Sequence, residues 1–487
     1  MFITLSITSK QAFQKFITHR VNDNRHFGEY VQSVAKLLQT VCTDWKCRFI
    51  GLWRTKEVLN VCTCPREKYT EKTKKDIDTP IFNSCIITRM KIVLTCLFGL
   101  ESCVRDDLTA IGYDRSNINV SDGVVTLNAD DDTWEMDVAR VNMWTRRAER
   151  VLFEVGSFPA REFSELFDGT CALPWDEFIP EGYAFIINGY SRKSKLFGIS
   201  ACQSLIKKAV VKSLCKARGL GADGIIAEDA AKGMVRIQFG IVNDVVSVMI
   251  DTSGEGLHKR GYRPLTHEAP IRETLASGMI TLGRYKPFGK EALADPFCGS
   301  GTILIEAAMM ACNIAPGKNR TFSYENLPYI GEYARKKALE EALDLEDSEP
   351  SDDCFFYGSD IDPKAIESSL RNAKAAGVSD HIKFTVADAA TRTPSALAKI
   401  TGFDRTMVIT NPPYGGRLMT VEEAYEIYKM ISSLYLTSQG FCRPGMRLSV
   451  ISPDDSFELA TGHKADKRVK LYNGNIKCQL NNYFKLK

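Results

Sequence analysis

No apolar run in this chain reaches the roughly 18 to 20 residues that a membrane-spanning helix needs. The amino terminus has no basic segment followed by a long apolar one, so a secretory signal is not expected. Strong charge is missing too: a formal net charge of +3 is too small to suggest a partner by bulk electrostatics. Histidine is scarce, with six in the chain. The nearest cysteine groupings, Cys42 with Cys47 and Cys62 with Cys64, lack structural zinc spacing, so no metal is expected. The fifteen cysteines form no disulfide framework, and their odd number points to reduced thiols and a cytoplasmic protein. There is no internal repeat and no extended low-complexity segment. What remains is an ordinary globular composition, 44% hydrophobic and 25% charged, in a chain of 487 residues. That length suits two or three domains.

Residues 1–89 differ from the rest. Through Met90 there are 15 Lys or Arg against 8 Asp or Glu, and the pattern of apolar residues is weak. The segment is expected to be an amino-terminal extension, and "MKIVLTCLFGLE" from Met90 has the look of a native start. From residue 90 to 159, strand-like runs ("KIVLTCLF", "GVVTLNA") alternate with helical ones, suggesting a small α+β unit. Residues 160–254 continue with "AFIINGYS", a long helix near 202–218 and paired strands "MVRIQFGIV" and "VVSVMIDTS". From residue 255 to 487 the order becomes strand, helix, strand with short loops, the signature of a parallel sheet. The acid-rich stretch "DLEDSEPSDD" reads as a solvated loop inside that unit.

Within the last unit, "ALADPFCGSGTILIEAA" is a strand, a tight loop and a helix. Gly299 and Gly301 let the backbone approach a ligand, and Thr302 falls at the helix start. No Lys-Ser/Thr follows the glycines, so this is not a phosphate loop of the nucleotide hydrolases. The dinucleotide fingerprint also fails, because the third glycine is missing. Asp295 at the strand end would repel a pyrophosphate and welcome a cation. A ligand with an ammonium, a sulfonium and an adenosine meets these constraints, namely S-adenosylmethionine. Asp295, Pro296, Phe297, Gly299, Gly301 and Thr302 are the candidate cofactor residues of this loop. The next strand ends at Asp360, the ribose candidate, while Asp362 is expected to cap the helix that Pro363 opens and Gly377 ends. The third strand delivers Asp388, a candidate acceptor for the adenine amine.

A fourth strand leads into "VITNPPYGGRL". Prolines fix φ and remove donors, so Asn411, Pro412, Pro413 and Tyr414 form a rigid loop with free acceptors. The Asn411 side-chain oxygen and the Pro412 carbonyl can both accept from a planar NH2 group, and the Tyr414 ring can stack on the flat system bearing it. Two fixed acceptors polarise a delocalised amine toward a methyl donor. Related Asn-Pro-Pro-Tyr loops serve adenine N6 in DNA, guanine N2 in RNA and a glutamine amide in protein.

The region Arg192–Arg218 carries eight Lys or Arg and no acid. Lys208, Lys212 and Lys216 recur every fourth residue and share a helix face, with Leu205, Val210 and Leu214 elsewhere. Such a face, with Arg192, Lys193, Lys195 and Lys207, suits a phosphate backbone. "GEGLHKRGYRP" adds Lys259 and Arg260, which either contact RNA or fix a domain junction.

Over nearly all of residues 90–487 the sequence resembles bacterial THUMP-domain methyltransferases of the large-subunit ribosomal RNA guanine-N2 type. The matching stretches include "TCLFGLE", "SRKSKLF", "DTSGEGLHKRGYR", "APIRETLA", "DPFCGSGTILIEAA", "GSDIDPKAI", "TNPPYGGRL" and "RVKLYNGNIKCQL". The resemblance implies a class I (Rossmann-like) α/β methyltransferase domain preceded by an α+β region, ferredoxin-like and then THUMP, that binds RNA. It implies methyl transfer from S-adenosylmethionine to guanine N2 in 23S rRNA. The same chemistry on tRNA, or a catalytically silent ribosome assembly factor, are the alternatives. By position it assigns the methionine end of the cofactor to Asp295, Gly299 and Gly301, the ribose to Asp360, the adenine side to Asp388 and the guanine to Asn411–Tyr414. It also places Arg272, Glu273 and Thr274 where they help close the cofactor site. Gly416 stands where the family pattern leads one to expect an acid. Some members carry a second methyltransferase domain that this chain lacks, which implies a single activity.

Overall fold

The computed structural model describes residues 90–221, 224–263, 271–351, 353–414 and 419–486. The expectations for residues 1–89 and for Gly416 therefore lie outside the described residues.

The first half builds one seven-stranded sheet. Its strands are β1 (Lys91–Cys96), β2 (Ile118–Ser121), β3 (Val124–Asn128), β4 (Ala148–Pro159), β5 (Tyr183–Arg192), β6 (Asp229–Val242) and β7 (Val245–Asp251), in the order β2-β3-β1-β4-β7-β6-β5. β3 alternates buried with half-buried residues, as a strand with one covered face must. The twelve-residue β4 pairs with β1 on one edge and β7 on the other. The two expected α+β units are thus continuous through β4, which no local pattern in the sequence announces. Helices α1 (Glu101–Ala110), α2 (Trp134–Trp144), α3 (Phe163–Cys171) and α4 (Ile199–Ala217) belong to this half. α4 buries Val210 and Leu214 and half-buries Leu205 while leaving Lys208, Lys212 and Lys216 exposed, as its periodicity requires.

The second half is a doubly wound sheet of strands β8 (Glu291–Asp295), β9 (Cys354–Asp360), β10 (Ile382–Val386), β11 (Thr406–Thr410), β12 (Met446–Pro453), β13 (Lys467–Asn473) and β14 (Ile476–Tyr483). The order is β10-β9-β8-β11-β12-β14-β13, parallel except for β14 and β13. β8 and β11 are buried at every position, because helices cover both faces. α5 (Glu273–Leu282), α6 (Thr302–Ala311) and α8 (Pro363–Ala376) contribute to the core on one side, and α9 (Val421–Tyr435) to that on the other. Asp362 caps α8 by accepting from Lys364 N at 2.9 Å, and Gly377 ends it at φ +77°, both as expected. α7 (Gly331–Asp344) shares a core with the first half, where its Ala334, Ala338 and Ala342 join Trp134, Val138 and Val141 of α2. The acid-rich stretch follows α7 as a loop.

β8 and β11 lie side by side at the centre, and the connections diverge from them in opposite directions. Ligands in such sheets bind beyond the carboxyl ends of the strands at this switch point. Asp295 and Asn411 both stand there.

Candidate active site

Asp295 closes β8 and is 2% exposed. Its Oδ1 accepts from Phe297 N at 3.1 Å and from Thr410 Oγ1 at 2.7 Å, which ties the cofactor loop to the end of β11. Burial pushes its carboxyl up to about 7, against the opposing effect of the Thr410 and Phe297 hydrogen bonds. An acid held in that state gains most from a cation placed beside it. Gly299 and Gly301 take φ of +52° and +77°, which non-glycine residues adopt only with strain. A Cβ at Gly301 would come within 3.0 Å of the Phe384 ring, whereas one at Gly299 would meet nothing within 4 Å. The loop is therefore packed on one side and open on the other. Gly301 lies at the N-cap of α6 and supplies no side-chain cap, so first-turn N–H groups remain for a carboxylate ligand.

The adjacent strands add Asp360 and Asp388. Asp360 Oδ2 accepts from Gly299 N at 2.9 Å and Oδ1 from Asp362 N at 3.0 Å. A carboxylate has further lone pairs, so Asp360 can still accept from ribose hydroxyls. β10 ends at Val386, two residues before Asp388, whose Oδ1 accepts from Ala390 N at 2.8 Å. Asp388 therefore caps a short turn and is exposed at the edge beside Asp360.

At the end of β11, Asn411 Oδ1 is buried and has no hydrogen-bond partner. An orphaned buried acceptor is disfavoured unless a ligand supplies the missing donor. Pro412 beside it is buried, and Tyr414 is held by Asn473 Nδ2, which donates to its hydroxyl at 2.7 Å. Asp295 and Asp360 at the ends of β8 and β9, Asp388 just beyond β10, and the unpartnered amide oxygen of Asn411 on the neighbouring strand thus share one edge of the sheet.

Three family models match the chain: an RlmL ferredoxin-like domain over residues 91–152, a THUMP domain over 160–221, and an RMKL-like methyltransferase domain over 260–482. YpsC of Bacillus subtilis (strain 168), named as an RNA methyltransferase, is 34% identical over 394 residues, covering 81% of this chain and 95% of its own. The chain belongs to the THUMP-domain, RMKL-like methyltransferase family. The ribosomal RNA large subunit methyltransferase K/L of Shewanella sp. (strain MR-4) is 32% identical over 346 residues, 71% of this chain and 46% of that protein. The chain thus spans about half the length of that relative. The crystal structure of SMU.472, named as a methyltransferase and complexed with SAH, superposes with a TM-score of 0.69 at 32% identity, over 82% of this chain and 99% of that one.

Two of the expected site residues in this family member go elsewhere. Arg260 is 3% exposed, with Nη1 donating to Leu257 O at 2.7 Å, Nη2 to Arg146 O, and Nε facing Glu306 at 3.4 Å. It fixes the junction between the two halves and offers nothing to RNA. Thr274 is fully buried and donates to Glu149 Oε1 on β4, so its hydroxyl is committed across the same junction. Glu149 also accepts from Arg272 Nη1 at 2.8 Å and faces His258 Nδ1 at 3.2 Å. Burial opposes its charge, yet the bonds from His258 and Thr274 prevail and hold its carboxyl below the ordinary range. The neighbouring Glu273 does reach the cofactor loop, through Arg263, which lies 3.0 Å from it and donates to Thr302 Oγ1 at 3.1 Å.

The remaining basic candidates lie at the surface. Arg192 at the end of β5, and Lys193 and Lys195 in the loop before α4, are exposed. Lys212 extends over the Phe167 ring at 5.2 Å. Lys207 is paired with Glu228 at 2.9 Å and sits over the Phe185 ring, and Lys259 is paired with Glu255 at 2.7 Å. These two are partly neutralised, which leaves Lys208, Lys212 and Lys216 as the clearer cationic stripe.

Asn473 was not legible as a site residue, because it lies 59 positions from Tyr414, at the end of β13. Its amide fixes the Tyr414 ring. Replacing Asn473 by alanine is expected to lower methyl transfer roughly five-fold, the worth of one hydrogen bond of about 1 kcal/mol, with cofactor affinity unchanged. Steady-state kinetics with separate cofactor binding checks this, and wild-type turnover in the variant would rule Asn473 out as a positioning residue.

Proposed function

We propose that the protein methylates the exocyclic N2 amine of a guanine in 23S ribosomal RNA. The observation that carries this reading is the unpartnered Asn411 Oδ1, buried one strand from the Asp295 loop. The methyl donor is S-adenosylmethionine, which supplies an electrophilic methyl on a sulfonium. Asp295, the open face at Gly299 and the first turn of α6 hold its methionine end. Asp360 accepts from the ribose, and Asp388 stands on the adenine side.

The protein's part in the chemistry is placement and polarisation. An exocyclic amine is a weak nucleophile because its lone pair is delocalised into the ring. Asn411 Oδ1 and the Pro412 carbonyl accept its two N–H groups, directing lone-pair density toward the methyl and stabilising the positive charge that develops. Tyr414 stacks on the base and keeps the amine in line. No strong base is needed, since the nitrogen becomes acidic once alkylated.

The preference for RNA rests on the THUMP match and on the exposed face of α4. The preference for 23S rRNA rests on the name of the K/L relatives. Replacing Lys208, Lys212 and Lys216 together is expected to weaken RNA binding and to flatten its dependence on salt by about 2 to 3 units of log–log slope. An unchanged slope would reduce α4 to a solvated face. The substrate is tested by offering labelled S-adenosylmethionine with undermodified 23S rRNA, 16S rRNA and tRNA in separate reactions. Label in 23S rRNA alone is the expected result, and label in tRNA alone would overturn the rRNA assignment while leaving the chemistry standing.

A further inference from the structure

Two stretches from opposite ends of the described chain, "TCLFGLE" and "RVKLYNGNIKCQL", meet beside the candidate active site. The first forms the turn between β1 and α1 and presents Phe98, which is 47% exposed. The second is the β13–β14 hairpin, whose Asn473 holds Tyr414. The residue before it, Tyr472, meets the Phe98 ring edge-on, with centroids 6.1 Å apart and planes at 62°. β13 runs parallel to β11 by way of β12 and β14, so its carboxyl end opens on the same edge of the sheet as Asn411. The hairpin continues past Pro453, the last residue of β12 to pair with it. It therefore stands as a wall at that edge, with Tyr472 one residue from the bond to Tyr414.

The turn that carries Phe98 is fixed through its backbone. Glu101 accepts from Gly99 N at 2.9 Å and from Gly123 N at 3.0 Å. Leu100 N donates to Leu97 O at 3.0 Å, and both leucines pack into the core that α5 and α6 share. A Cβ at Gly99 would collide with the Lys470 carbonyl, and one at Gly123 would come within 3.2 Å of the Phe98 ring. The ring is thus backed by the Gly123 backbone and edged by Tyr472, and about half of it still faces solvent. A lone exposed apolar residue needs no explanation. A ring held by a fixed turn, touching a second ring beside the site, suits a flat partner. Asp122, next to Gly123, is exposed and would repel a phosphate, so the surface fits the face of a base and not the backbone. Lys470 is exposed with Nζ 6.0 Å from the Tyr472 centroid, where it can meet the next phosphate along.

We infer that Phe98, edged by Tyr472, stacks on a base that flanks the target guanine. The inference rests on the RNA reading given above. A guanine whose N2 amine is to reach Asn411 has to leave its pairing and its stack, because the amine cannot be approached inside a duplex. Its neighbour in the strand then loses a stacking partner, and an exposed ring at the side of the site replaces it. Every base has a π face, so this contact tolerates any sequence. Phe98 positions the strand, while Asn411 and Pro412 select the amine. Its contribution is to RNA binding, equal before and during methyl transfer.

The test uses the full chain and the RNA that it methylates, 23S rRNA being expected, and compares wild type with Phe98→Leu and Phe98→Trp. Leucine keeps apolar packing on Gly123 and removes the flat face, whereas tryptophan keeps the flat face. The KM for RNA is expected to rise about ten-fold in Phe98→Leu, with kcat and S-adenosylmethionine affinity unchanged, and to stay near wild type in Phe98→Trp. Ultraviolet irradiation of the wild-type complex should crosslink Phe98 or Tyr472 to a nucleotide close to the methylated guanine. A wild-type KM for RNA in Phe98→Leu would overturn the stacking role and leave the RNA reading standing. So would a lower melting temperature in that variant with RNA binding unchanged, since that marks a packing role, or crosslinks confined to distant surfaces. If the wild-type protein binds S-adenosylmethionine yet methylates no RNA, the RNA reading fails, and the stacking role with it.

Discussion

Asn411→Ala is expected to lower methyl transfer by about 10² to 10³-fold while S-adenosylmethionine affinity changes little. The magnitude is that of removing one group aimed at charge that develops in a transition state. The direction of the accompanying stability change separates this role from a structural one. Asn411 Oδ1 is buried without a donor in the ligand-free protein, an arrangement that costs about 1 to 3 kcal/mol. Deleting it removes that cost, so the variant should melt no lower than wild type and could melt higher. A residue that merely shaped the loop would behave the opposite way, losing stability together with activity. Single-turnover kinetics and thermal melting of the same preparation decide between these. Full activity in the variant would remove Asn411 from the catalytic set.

The second large effect is expected at Asp295. Its carboxyl is raised from 3.8 to about 7 by burial, so the linkage between pH and stability has a definite sign. Below about pH 4 the folded and unfolded chains both carry the proton. Between about pH 4 and 7 the unfolded chain loses the proton and the folded one keeps it. Stability attributable to this residue is therefore lost as pH rises through that window. Asp295→Asn cannot ionise and can still accept from Thr410 and Phe297, so it should be more stable than wild type at pH 8 and nearly equal to it at pH 4. Binding should show the reverse. The ionised carboxylate is the form that meets an ammonium, so wild-type affinity for S-adenosylmethionine should weaken as pH falls below about 7. The amide variant should bind about 10 to 100-fold less tightly at pH 8, the worth of a charge-assisted hydrogen bond, with this source of pH dependence removed. Identical pH profiles of binding in wild type and Asp295→Asn would show that this acid does not meet the cofactor.

Much of the methyltransferase half could be read before its coordinates. Parallel strands buried on both faces leave dense apolar runs such as "TMVIT", and glycine, proline and aspartate at their ends mark the loops. Each of these signals is local, and so were the caps at Asp362 and Gly377. The misplacements share a different character. Arg260 reads from the sequence as either an RNA contact or a junction residue, because nothing in its own loop decides between them. Its destination is set by Glu306, 46 positions later, and by the Arg146 carbonyl. Thr274 is claimed by Glu149, 125 positions earlier. The Asn473–Tyr414 bond and the continuity of the first sheet through β4 depend likewise on pairings that no periodicity encodes. The contact between Phe98 and Tyr472 belongs to the same class, since it joins two segments that only the fold brings together.

The central claim is that Asn411 and Pro412 accept from the N2 amine of guanine. The most direct test is the identity of the product. RNA methylated by the purified protein is digested to nucleosides and the modified one is identified by mass and chromatography against standards. N2-methylguanosine is the result this account predicts. N6-methyladenosine, or methylation at a ring nitrogen or carbon, would contradict it.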